Sequence, residues 1–143
     1  MGLVNGKLLL KNPLIPDLDA VETVALADSG ALLPFGTDAP VESIDPWPGL
    51  AMAVLRADPG WSASVGPFGP GEALDLARAL RAACVDGPLS AGETDRGRLV
   101  AGQRADLVVL PAEALSEPIE IGGPLATVRP RQVMIDGVVA FEA

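Results

Sequence analysis

The run Ala31-Leu32-Leu33-Pro34-Phe35-Gly36-Thr37-Asp38-Ala39-Pro40-Val41 divides into an apolar half and a turn half. Ala31 to Gly36 is short, apolar and free of charge, the pattern of a strand buried on both faces. Pro34 inside it is an awkward member, because proline donates no ladder hydrogen bond. Gly36, Thr37 and Pro40 then shape a turn that carries one acid, Asp38. A buried strand flowing into a turn and then a helix points to an α/β chain. The helix comes next: Asp45-Pro46 reads as N-cap and first helical residue, and Leu50, Ala53, Val54 and Ala57 form one apolar stripe.

Working outward, the remaining segments alternate between helix and hairpin signals. Glu72 to Val85 reads as a helix with Leu76, Leu80, Ala83 and Cys84 on one face, ended by Asp86-Gly87-Pro88. Cys84 is expected to be a small buried hydrophobe, since neither a histidine nor a second cysteine is present to activate it. Residues 59–71 form a Gly/Pro-rich connector. Gly66-Pro67-Phe68-Gly69-Pro70-Gly71 lacks the Lys-Ser/Thr of a phosphate-binding loop. Asp106 to Leu110 reads as a strand. Val133 to Ile135 and Val138 to Phe141 pair about Asp136-Gly137, and Leu3 to Leu10 form a second hairpin about Asn5-Gly6. Leu18 to Ala27 fits a strand by its β-branched residues and a short helix by its acids; both readings stand. Trp47 and Trp61 are expected to cover a core edge.

Composition narrows the function classes. The chain has 143 residues, 49% hydrophobic and 20% charged, which is a folded rather than a disordered composition. Its mean hydropathy of +0.36 comes from Ala, Leu and Val in short runs. None reaches the ~18 apolar residues of a membrane span. Net charge is −9, and eight Arg and two Lys are scattered without a basic stripe. Nucleic acid and anionic membrane are therefore not expected partners. One cysteine excludes an intrachain disulfide and suits a reducing compartment. The first residues show no signal-peptide pattern.

Four segments together resemble the C-terminal part of amidohydrolase family 3. They are Asp28 to Val41 with its Gly36-Thr37-Asp38-Ala39-Pro40; Asp45-Pro46-Trp47-Pro48-Gly49-Leu50; Glu72 to Cys84; and Gly97-Arg98-Leu99-Val100-Ala101-Gly102-Gln103-Arg104-Ala105-Asp106-Leu107-Val108-Val109-Leu110. The resemblance is to cytoplasmic enzymes that hydrolyse N-substituted formamides and related non-peptide C–N bonds. It implies a partial (β/α)₈ barrel remnant at residues 13–92 and a small β-sandwich or hairpin domain built from both chain ends, residues 1–12 and 93–143. A complete barrel takes roughly 200 residues or more. On this reading the chain joins the opening strands directly to the last barrel strand.

The same resemblance assigns an active-site role to Asp38, as proton acceptor from metal-bound water, and a divalent metal, typically zinc, held by histidines. This chain has no histidine. A structural reading of Asp38, with its carboxylate capping backbone N–H groups at residues 39–42, is therefore preferred at this stage. No cofactor is expected for this chain by itself, no metal ligand is assigned, and the substrate-binding residues are unknown. Asp106 is expected to make a local turn-stabilising bond. Arg96, Arg98 and Arg104 are expected to lie in a solvated turn beside Glu93 and Asp95. The implied activity is hydrolysis of a C–N bond by a chain inactive alone. The alternatives are a subunit completed by a histidine-bearing partner and a non-catalytic module that self-associates.

Overall fold

A computed structural model of the chain describes residues 2–4, 7–9, 23–58 and 64–143. It is a mixed helical and antiparallel β structure. Strands β1 (Gly2–Val4) and β2 (Lys7–Leu9) pair with each other. Helices α1 (Thr23–Asp28), α2 (Trp47–Leu55), α3 (Leu76–Arg81), α4 (Gly87–Ser90) and α5 (Pro124–Thr127) surround the core. Strands β3 (Leu107–Val109), β4 (Gln132–Ile135) and β5 (Val138–Glu142) form a three-stranded sheet in that order. The Asn5-Gly6 turn, Trp61 and the early part of the ambiguous 18–27 segment lie outside the described residues. The described part of that segment is helical.

The expected strand at Ala31 to Gly36 does not form. Residues 31–38 are non-helical and pair with no strand. The alternation of a strand survives, with Leu33 and Phe35 packed on the core while Pro34 and Gly36 are exposed. The inward residues also send their N–H groups inward. Leu33 donates to Asp86 Oδ2 at 3.0 Å and Phe35 to the Ala82 carbonyl at 3.4 Å. Pro34, between them, has no N–H to place. The segment is thus held by Ala82 and Asp86 instead of a ladder, and it is covered on one side only.

The second correction concerns the helix predicted over 72–85. Asp75, not Glu72, caps it: the Asp75 carboxylate accepts the Arg78 N–H at 2.8 Å. Glu72 lies in a 3₁₀ turn, and its Oε2 accepts the Val24 N–H at 2.9 Å, serving the first turn of α1 from 48 residues away. After Arg81 the helix widens into a π turn over Ala82–Asp86 and continues as α4 through Pro88. The wide turn shifts the phase of every following side chain. Ala79, Ala82 and Asp86 are buried, and Ala83 and Cys84 face outward. Cys84 is therefore exposed, against expectation.

The core lies where α2, α3 and α5 meet, through Leu50, Ala51, Leu74, Leu76, Ala79 and Leu125. Trp47 covers its edge as expected. The connector after α2 folds back along it. Phe68 N–H donates to the Arg56 carbonyl at 2.7 Å, Leu74 N–H to Ala53 at 3.0 Å, and the Arg56 guanidinium sits 5.6 Å over the Phe68 ring. The sheet follows the sequence closely. Asp136 and Gly137 both have positive φ, 51° and 78°, as a type I′ hairpin turn requires. The two hairpins, however, sit in separate sheets and do not merge into one.

Candidate functional site

Asp38 ends the segment that Ala82 and Asp86 hold. It is exposed, with φ 57°, a left-handed conformation that Asp tolerates better than most residues. Its main-chain carbonyl, not its carboxylate, takes the following N–H groups: Val41 at 2.9 Å and Glu42 at 3.5 Å. Among the described residues the Asp38 carboxylate has no hydrogen-bond or ion-pair partner. The expected side-chain cap is thus replaced by a backbone turn.

The acids that follow do not join it. Glu42 is exposed. Asp45 is committed twice, Oδ1 accepting the Trp47 N–H at 3.2 Å and Oδ2 facing Arg129 Nη1 at 3.2 Å. That pair ties the start of α2 to Arg129, two residues past the end of α5. Among the described residues, no three of His, Cys, Asp or Glu come close enough to hold one ion. Zinc needs three or four strong protein ligands. The residues present here do not fit the metal that the sequence resemblance implies, and no chemical step runs through it in this chain.

A denser constellation surrounds the 104–106 motif. Arg104 grips Asp136 with two parallel bonds, Nε to Oδ1 at 2.7 Å and Nη2 to Oδ2 at 2.5 Å. Asp106 Oδ1 accepts the Asp136 N–H at 2.9 Å, and Gly137 N–H donates to the Ala105 carbonyl at 3.0 Å. Arg96 lies 3.1 Å from Glu93 and 3.9 Å from Asp106. The bond from Arg104 holds the Asp136 carboxyl below the usual carboxylate range and raises the Arg104 guanidinium further. The expected local bond of Asp106 is instead a link across 30 residues. Arg104 and Asp106 therefore clasp the hairpin turn, which gives the motif a structural purpose. Sequence reading missed Arg104 with Asp136 because two residues far apart in the chain carry no local signal of meeting.

Two further residues, Cys84 and Asp86, stand apart from these clusters. Atoms packed around the Cys84 thiol strip part of its water and push its pKa up, although the residue is exposed by area. It is no activated nucleophile. Asp86 is 4% exposed, a buried carboxylate read from the sequence only as a helix terminator. The sequence carried no signal for its burial, which follows from the wide turn over Ala82–Asp86. Among the described residues no helix is long and apolar enough to cross a membrane.

Comparison with protein-family models matches residues 15–141 to the model of amidohydrolase family 3, described as an amidohydrolase family. Comparisons with curated proteins and with solved structures give no match.

Proposed function

The chain belongs to the amidohydrolase family, and from that premise we propose that it is the Asp38-bearing part of a cytoplasmic hydrolase of non-peptide C–N bonds, inactive by itself. The reading takes residues 13–92 as a barrel remnant and residues 1–12 with 93–143 as the small β-domain. Its substrates would be N-substituted formamides or related amides. Asp38 would act as proton acceptor once a histidine-bearing polypeptide supplies the metal. The observation that carries this is a carboxylate without a partner among the described residues, exposed at the end of an anchored segment, in a chain with no histidine.

Purified alone, the chain is expected to hold well under one zinc after dialysis and to leave N-formyl and N-acyl amides intact, because about three strong ligands are missing. Co-purified with a neighbouring chain that carries a His-x-His pair, it should gain metal and turnover, and Asp38→Asn should abolish that turnover. Stoichiometric zinc with turnover by the lone chain overturns the proposal. A second reading, a non-catalytic module that self-associates, draws support from β5, all five of whose residues are exposed. Metal-free oligomers that no histidine-bearing chain converts to activity would favour it.

A further inference from the structure

A pocket of about 170 Å³ opens between α1, the 31–38 segment and α3, lined by Ala27, Ala31, Leu33, Arg78, Arg81 and Asp86. Its chemistry is unlike that of the Asp38 turn. Asp86 is buried, and its two carboxylate oxygens are used unequally. Oδ2 accepts the Leu33 N–H at 3.0 Å. Oδ1 has no aligned hydrogen-bond donor, although Arg81 Nε lies at ion-pair distance, 3.3 Å. Such an oxygen wants a donor, since a buried acceptor left unmade is costly. Arg81 is long and its side chain is 59% exposed, so it can swing between rotamers quickly and uncover Oδ1. Arg78 flanks it, bridged to Asp28 at 2.7 Å and Asp75 at 3.3 Å. Each guanidinium has five N–H donors and spends few of them here.

We propose that this pocket binds a small zwitterionic amino acid of about alanine size, its ammonium on Asp86 Oδ1, its carboxylate on Arg81 and Arg78, and its methyl group against Ala27, Ala31 and Leu33. Charge selects a zwitterion over a simple ion. The arginines are already matched by Asp28, Asp75 and Asp86, and the chain carries −9, which repels a free anion. A free cation would meet Arg81 and Arg78. A ligand with both charges satisfies Oδ1 and the spare donors without disturbing that balance. Size agrees: a pocket of about 170 Å³, open to solvent on one side, admits a ligand as small as alanine. So small a ligand binds at about millimolar concentration.

Saturation-transfer NMR on the full 143-residue chain with L-alanine tests this. Transfer to the alanine methyl group is expected. Propionate and ethylamine, each carrying one of the two charges, should bind at least about tenfold more weakly. Arg81→Gln, at an exposed position, and Asp86→Asn should each weaken alanine by a similar factor. If Asp86→Asn does not fold, Arg81→Gln and the two analogues decide. Absence of transfer at about 20 mM alanine, which means a pocket for water only, overturns the proposal. So does equal binding by Arg81→Gln or by either single-charge analogue. None of these readouts depends on hydrolysis, so they stand apart from the reading of Asp38.

Discussion

At the residue scale, Gly97 shows what a motif glycine is for. Its φ is 87°, and a Cβ added there would lie 2.3 Å from the Cys84 carbonyl oxygen. Gly102 has the same backbone, φ 88°, but open space around it. Gly97→Ala should therefore cost clearly more than Gly102→Ala in urea unfolding: about 3 kcal/mol against about 1 kcal/mol. Equal losses would show that the loop yields freely around Cys84. The two glycines look alike in sequence, since the approach of Cys84 arises only once the wide turn has swung its carbonyl toward the loop. Asp136 is the pH-sensitive residue. Its carboxyl is held below the usual range by Arg104, so the folded state binds the proton less readily than the unfolded one. The contribution of the pair is present above about pH 4 and fades as pH falls through and below that value. Urea midpoints between pH 6 and pH 3 should drop less steeply at the acid end in Asp136→Asn. The effect is small, because the pair is solvent-screened.

At the element scale, hairpin β4–β5 was legible because its turn chemistry is local: Asp136-Gly137 asks for positive φ and the flanking apolar runs fix the strands. Helix α2 was legible from the Leu50 stripe, but its start was not: it begins at Trp47 with Pro46, not Asp45, at the N-cap, and the Asp45 carboxylate only reaches forward to the Trp47 N–H. The segment 31–36 was misread as a strand because pairing is not a property of the segment. Its alternation is strand-like, but the partner that takes its N–H groups is the wide helical turn at Ala82 and Asp86. The start of α3 was misread because two acids compete for it. Asp75 takes the cap, and Glu72 is drawn away to α1. Asp75→Ala should thus lower stability by about 1 kcal/mol, the usual loss of an N-cap. Helical circular dichroism after heating and cooling, with a melting midpoint lowered by several degrees, is the readout. An unchanged midpoint would mean that Leu76 packing alone fixes the start.

At the scale of the whole molecule, the family was legible and the site was not. Asp38 lies at a turn, as its neighbours Gly36, Thr37 and Pro40 led one to expect, but among the described residues its carboxylate meets no other side chain. The sheet predicts association instead. Val138 and Val139 are exposed on β5, an edge strand without proline, and Phe141 follows them. Unpaired edges of that kind recruit other chains. Light scattering should show oligomers that Val139→Lys reduces; a monodisperse 14.6 kDa monomer would show that the edge is inert. The core has a consequence of another kind. Among the described residues, five of the ten buried apolar ones are alanine, and Leu125 is the largest fully enclosed side chain. Melting such a core hands little hydrocarbon to water. The heat-capacity step should therefore fall short of the usual ~12–15 cal/mol/K per residue. A small step flattens the stability curve, so the chain should weaken only gradually on cooling as on warming, with a shallow optimum in place of a sharp one.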